Sequence, residues 1–325
     1  MGNKLENIGF YTLSDYRASQ SSIRSPLWRC ELILTDSCNF NCVYCRGLRS
    51  DIKGTMSFNE AMKTLDIWCD NGLKNVRFSG GEPTLYKGLD KLVEYCKNRN
   101  VEHIAISTNG SASWDLYKDL IEAGVNDFSV SLDSCCASVQ DKMAGGISVF
   151  DRISENIKKL SDKVYTTVGV VVNEQNIDTC VDTVIFADSL GVSDIRIIPS
   201  AQYNKLLTVA EGIPQGILDK YPILAYRVFN IKKGCNVRGI SGCDSHKCWL
   251  AMDDMAVAGG YHFPCIIYMR EQGDPIGKIT SNVREDRFKW FMEHDTHLDP
   301  ICRGNCLDVC VDYNNKVENL RGSPK

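Results

Sequence analysis

Cys38, Cys42 and Cys45 stand at a CxxxCxxC spacing in the stretch "TDSCNFNCVYCRG", residues 35 to 47, directly after an apolar run. Thiolates spaced in this way can converge on one metal centre. A structural zinc ion takes four ligands, and no fourth cysteine or histidine stands close by in the chain. A [4Fe–4S] cluster tolerates three protein thiolates and leaves one iron open to a small ligand. The spacing therefore favours iron–sulfur and keeps zinc as its alternative.

Other residues with chemical potential recur downstream. In "RFSGGEPTL", Gly80 and Gly81 allow close backbone approach, Glu82 offers a carboxylate to an amino group, and Pro83 follows. Read alone, this run is equally an ordinary turn. "STNG" (107 to 110), with Thr108 and Asn109, and "SVSLDS" (129 to 134), with Ser131, are equally helix caps or turns. Cys135 and Cys136 come next.

The chain holds 16 cysteines among 325 residues. Its opening residues lack the apolar core of a signal peptide, and no run approaches the roughly 18 apolar residues of a membrane span. A cytoplasmic location is the expectation, where many cysteines point to metal or redox chemistry rather than disulfides. Cys243, Cys248, Cys265, Cys302, Cys306 and Cys310 crowd the tail, with Cys235 just before them. A zinc knuckle or packed thiols are the plain alternatives there. Cys30, Cys69, Cys96 and Cys180 fall in strand or helix patterns and read as core. His294 and His297 have a metal-like spacing, but the acids beside them suggest a solvated helix end; His262 is a candidate contact behind Cys265. A net charge of -4 gives no general attraction to nucleic acid. The basic run holding Lys232, Lys233, Arg238 and Lys247 reads as a solvated face.

These residues need elements to position them. Six β-rich runs, at 28–35, 74–80, 102–108, 126–133, 163–172 and 194–199, alternate with helical patterns, which predicts a parallel α/β sheet with crossover helices. Helix ends are marked by a capping box at Ser57 to Glu60, by Ser113 and Gly124, and by Gly191. Parallel sheets carry their chemistry at the carboxyl ends of the strands, where the motifs lie. Six units are too few for an eight-stranded barrel. The expectation is a partial (β/α)6 barrel over residues 28–230, after an extension at 1–27 and before a small cysteine-rich domain at 231–325.

In this order and at these positions, "TDSCNFNCVYC", "RFSGGEPTL", "STNG", "VSLDS" and "DIRIIP" resemble the radical S-adenosylmethionine (SAM) superfamily over roughly residues 28 to 200. Within it the wording is similar to the GTP 3′,8-cyclases and their SPASM/twitch relatives. The resemblance implies that Cys38, Cys42 and Cys45 hold a [4Fe–4S] cluster whose fourth iron is chelated by SAM. It further implies reductive cleavage of SAM to a 5′-deoxyadenosyl radical that abstracts a substrate hydrogen. Tyr44 then lies by the adenine, Gly80, Gly81 and Glu82 receive the SAM amino group, and Pro83 belongs to the same motif. Thr108, Asn109 and Ser131 serve the ribose and carboxylate ends, and Arg196 and Ile198 stand beside the adenine. Cys135 and Cys136 are candidate hydrogen-atom donors, as in some members, or plain loop thiols.

The tail fits the CX(9–15)GX4C pattern of SPASM and twitch domains at Cys248, Gly260 and Cys265, with a β-hairpin turning at Gly259 and Gly260. This implies one auxiliary [4Fe–4S] cluster, with Cys243, Cys302, Cys306 and Cys310 competing for the remaining ligand positions. The distal CX3CX3C group and the ending "NLRGSPK" depart from the full SPASM and cyclase patterns, so a product other than that of the cyclases is expected. A small-molecule substrate of nucleotide, nucleoside or sugar type leads, because only 27 residues precede the first strand where peptide-modifying relatives carry a recognition domain. A ribosomally made peptide, a nucleic-acid base, and a noncatalytic metal scaffold or electron carrier are the alternatives. The expected partners are the substrate and an electron donor such as flavodoxin or ferredoxin, with no membrane.

Overall fold

The computed structural model describes residues 16–52 and 54–321. The six expected strands form as β1 (Arg29–Thr35), β2 (Asn75–Gly80), β3 (His103–Thr108), β4 (Asp127–Ser131), β5 (Tyr165–Val172) and β6 (Asp194–Pro199). Between them run α1 (Phe58–Asp70), α2 (Leu89–Asn98), α3 (Trp114–Ala123), α4 (Ala137–Met143), α5 (Phe150–Ser161) and α6 (Cys180–Ser189). Successive strands pair in parallel. Leu32, Leu34, Val76, Phe78, Ile106, Phe128, Val168 and Ile195 are buried, as strands covered on both faces require.

The helices begin where the sequence marks them. Ser57 accepts from the Glu60 amide while the Glu60 carboxylate accepts from the Ser57 amide, closing the capping box of α1. Ala61, Thr64, Leu65 and Trp68 then form its buried stripe. Ser113 caps α3, which stops at Gly124.

Beyond β6 come α7 (Gln215–Leu218), α8 (Pro222–Lys232), β7 (Asp254–Ala258), β8 (Tyr261–Phe263), α9 (Ile266–Arg270), β9 (Gly277–Lys278), α10 (Val283–Glu293), α11 (Pro300–Asn305) and α12 (Asp308–Arg321). β7 and β8 make the expected hairpin, whose turn residues Gly259 and Gly260 have φ of +55° and +78°. This hairpin does not stand apart. β7 pairs in parallel with β1, Arg29 opposite Asp254 through Leu32 opposite Val257, giving one nine-stranded sheet in the order β6-β5-β4-β3-β2-β1-β7-β8-β9. No helix among the described residues is long and apolar enough to cross a membrane.

Candidate functional site

The loop after β1 is held from three sides. The amides of Asn41 and Val43 donate to the carbonyls of Ala144 and Met143 at the end of α4. The amides of Gly81 and Glu82 donate to the carbonyls of Thr35 (2.7 Å) and Ser37 (2.8 Å). A Cβ on Gly80 would lie 2.4 Å from the Thr35 oxygen, and one on Gly81 would lie 2.3 Å from the Ser37 oxygen. The paired glycines thus let the second strand end press against the cysteine loop. From the tail, Arg270 donates to the carbonyls of Gly47 (2.9 Å) and Gly80 (3.0 Å), and Arg46 pairs with Glu271 at 3.0 Å.

A cavity of about 610 Å³ opens at the carboxyl ends of the strands. Cys38, Cys42, Cys45, Tyr44, Gly80, Gly81, Thr108, Asn109, Ser131 and Ile198 all line it, so the structure brings these predicted residues together. Cys42 is half-buried, and burial followed by the Asp133 and neighbouring thiol charges pushes its pKa up to about 12. Tyr44 donates to Asp133 at 2.8 Å, and burial lifts the Asp133 carboxyl to about 6 against the hydrogen bonds from Val171 and Tyr44. Asp133 sits inside "VSLDS", but nothing in its type or spacing sets it apart from a turn residue in the sequence.

Glu82 is placed differently from expectation. It is buried and does not line the cavity; it accepts from the Thr84 amide (3.1 Å) and hydroxyl (2.7 Å), the Thr108 hydroxyl (2.8 Å) and the Asn109 amide (2.7 Å). Here it knits the ends of β2 and β3, and burial still raises its pKa. Pro83 is buried beside it and opens a short 3-10 turn. Cys135 and Cys136 lie outside the cavity: the Cys135 amide donates to Thr183 on α6, and the two sulfurs are 3.8 Å apart. That placement on the helix side removes the geometric case for hydrogen-atom donation.

A second cavity, of about 370 Å³, adjoins the first, the two sharing Ser131, Val171, Ile198 and Ile267. It reaches Arg29, Asp127 and Asp254, which open their strands, and so extends toward the amino ends of the barrel. Arg196 lines this cavity rather than the first, bonded to Ser129; burial and then Arg77 lower its pKa to about 10. Cys248, Cys265, Cys302, Cys306 and Cys310 form one wall. Burial raises the pKa of Cys248 to about 11 and raises Cys265 and Cys302 further, with neighbouring thiols adding to each; for Cys306 the hydrogen bond with Cys310 leads. Cys243 does not line this cavity; it is exposed, its sulfur 3.5 Å from the Ser241 hydroxyl.

His294 is not a free, solvated end. Its ring stacks on Trp290 at 4.0 Å and lies 3.5 Å from the Cys302 sulfur, and with Asp299 these residues offer donor atoms within 4.8 Å of one another. His297 contacts the Asp244 carbonyl instead. His262 is buried against Arg287; burial, and then the Arg287 charge, lowers its pKa to about 3. The basic run is likewise not one solvated face. Lys247 donates to the carbonyls of Phe291, Met292 and His294, and Arg238 is only 9% exposed.

Residues 32–187 match the radical SAM superfamily. The chain is 30% identical over 177 residues to a probable GTP 3′,8-cyclase of Saccharolobus solfataricus, covering 53% of this chain and 57% of that protein. It is 31% identical over 169 residues to that of Pyrococcus abyssi, covering 51% and 55%. The chain thus spans little more than half the length of these curated relatives. Among solved structures it is similar to anSMEcpe with bound AdoMet (TM-score 0.61, 16% identity, 90% of this chain and 96% of that one). It is also similar to Streptococcus suis SuiB bound to S-adenosylmethionine (TM-score 0.58, 15% identity, 86% and 65%). At such identity the structures establish the shared fold.

Proposed function

We propose that the chain cleaves SAM reductively and abstracts a hydrogen atom from a substrate lodged between the two cavities, a reading supported by the match of residues 32–187 to the radical SAM superfamily. One observation carries this reading: three thiols of one loop face the same cavity as Gly81, Thr108, Asn109, Ser131 and Ile198. The donor set fits a [4Fe–4S] cluster with one open iron: three thiols line that cavity, and among the described residues no fourth cysteine or histidine does. When bound, the reduced cluster and SAM supply a 5′-deoxyadenosyl radical. The chain's own residues orient and enclose. Gly81 brings a backbone edge to the cysteine loop, Asn109 donates to Asn39 at 2.8 Å within it, and Tyr44 is held by Asp133 beside Cys42.

An auxiliary [4Fe–4S] cluster is proposed on the tail thiols. Five are present for at most four positions. Cys248, Cys265, Cys306 and Cys310 are the preferred set, because Cys302 is engaged by His294. The substrate is proposed to be small and polar, since Arg29, Glu31, Arg77, Asp127 and Arg196 line the second cavity. A peptide is the second reading, favoured by structural neighbours whose structures include SuiB bound to precursor peptide SuiA and anSMEcpe with a Cp18Cys peptide. A flavodoxin or ferredoxin is the proposed electron donor.

Anaerobic reconstitution followed by an iron count and a dithionite-driven assay tests the proposal. About eight irons per chain and formation of 5′-deoxyadenosine are expected, with activity lost in Cys42→Ala. No SAM cleavage, together with a Cys42→Ala protein indistinguishable from wild type, overturns it.

A further inference from the structure

Two buried arginines, one lining each cavity, lack full hydrogen bonding. Arg238, 9% exposed, lines the first cavity; its Nε donates to the Pro199 carbonyl at 3.2 Å, while its Nη1 has no partner among the described residues. Arg227, 8% exposed, lines the second; its Nη2 meets Asp308 at 3.0 Å, and its Nη1 is likewise without a partner. Pro199 follows Ile198, which borders both cavities. Glu271 is engaged by Arg46, and Asp308 is shared between Arg227 and Asn230, so no carboxylate is paired with Arg238 among the described residues. Arg238 makes no ion pair among the described residues, and after burial and Glu271 the charge of Arg227 is the next influence on it, acting to lower its pKa. Buried like charges with spare donors call for an anion.

We propose that Arg238 and Arg227 form a binding site for an anionic group, a phosphate or carboxylate, of the substrate. This rests on the radical SAM reading for the location of the substrate, but not for the anion site itself. The carboxylate of SAM is not the intended occupant. Within the first cavity the cysteine loop and Asn109 belong to the ends of β1 and β3, whereas Arg238 meets the end of β6.

The test uses the reconstituted full chain without reductant, so that it is independent of SAM cleavage. Calorimetric titration with inorganic pyrophosphate and, separately, succinate distinguishes phosphate from carboxylate. Saturable binding of at least one at one site per chain is expected, weakened about tenfold in Arg238→Gln and in Arg227→Gln and partly kept in Arg238→Lys. SAM affinity by equilibrium dialysis should stay within about twofold of wild type. Absence of saturable anion binding to the wild type overturns the proposal whether or not the variants fold. So does folded Arg238→Gln that binds the anion normally, or that loses SAM binding instead.

Discussion

A single methyl group at Gly81 would meet the Ser37 carbonyl oxygen at 2.3 Å and that of Asp36 at 2.6 Å, so the cluster loop must move away from β2 to admit it. Gly81→Ala is therefore expected to keep its circular dichroism but to lose at least half of the iron proposed for Cys38, Cys42 and Cys45. Full iron at that site would show that the loop adapts. Glu82 makes a second test, because its carboxylate faces two amides and two hydroxyls. In Glu82→Gln one amide hydrogen must point at a donor, with an expected loss of roughly 1–3 kcal/mol in urea unfolding; unchanged stability would argue against this. The sequence led to these residues through their types and order. It could not show that Glu82 spends its acceptors on Thr84, Thr108 and Asn109, because those bonds depend on how two strand ends meet. Arg238 was misread for the same kind of reason: a local run of charges reports composition, not burial.

Elements that begin and end on local chemistry were legible. The α1 capping box is one, and Ser57→Ala is expected to cost about 1 kcal/mol, read from the urea midpoint. The link from β6 to α8 was not, since it runs through a side chain: Asp194 accepts from the Ile223 amide at 3.1 Å in the first turn of α8. Burial raises the Asp194 pKa from 3.8 to about 6, with the backbone hydrogen bonds opposing it. Between those values the folded protein holds this proton more tightly than the unfolded chain. The group's contribution to stability is thus present at low pH and is lost as pH rises toward about 6. Relative to Asp194→Asn, wild-type stability should fall by roughly 2–3 kcal/mol between about pH 4 and 7, then stay level. A difference that is flat, or that grows with pH, would refute the assignment.

At the scale of the molecule, several contacts tie the tail to the barrel, Arg46 with Glu271 among them. β7 extends the sheet beside β1. Arg270 bridges Gly47 and Gly80. Arg49 donates to the Gly273 carbonyl at 2.7 Å and pairs with Asp274 at 3.1 Å. The sequence offers only a division near residue 230, because parallel pairing between strands more than 200 residues apart leaves no mark on either strand's own pattern. The consequence is physical. A chain ending at residue 233 would leave β1 with an open edge, a template for association with other chains, and would remove the donors that pin the cluster loop. Such a truncation is expected to aggregate, and its soluble fraction to bind less iron at the CxxxCxxC loop than the full chain does. Arg270→Met separates the two effects, since it leaves β7 in place: it should stay monodisperse in size-exclusion chromatography, yet lose iron from the first site while the tail thiols keep theirs. If the truncated chain were instead monomeric and retained the first cluster in full, the barrel would be a self-sufficient unit and the bridging role of Arg270 would fall.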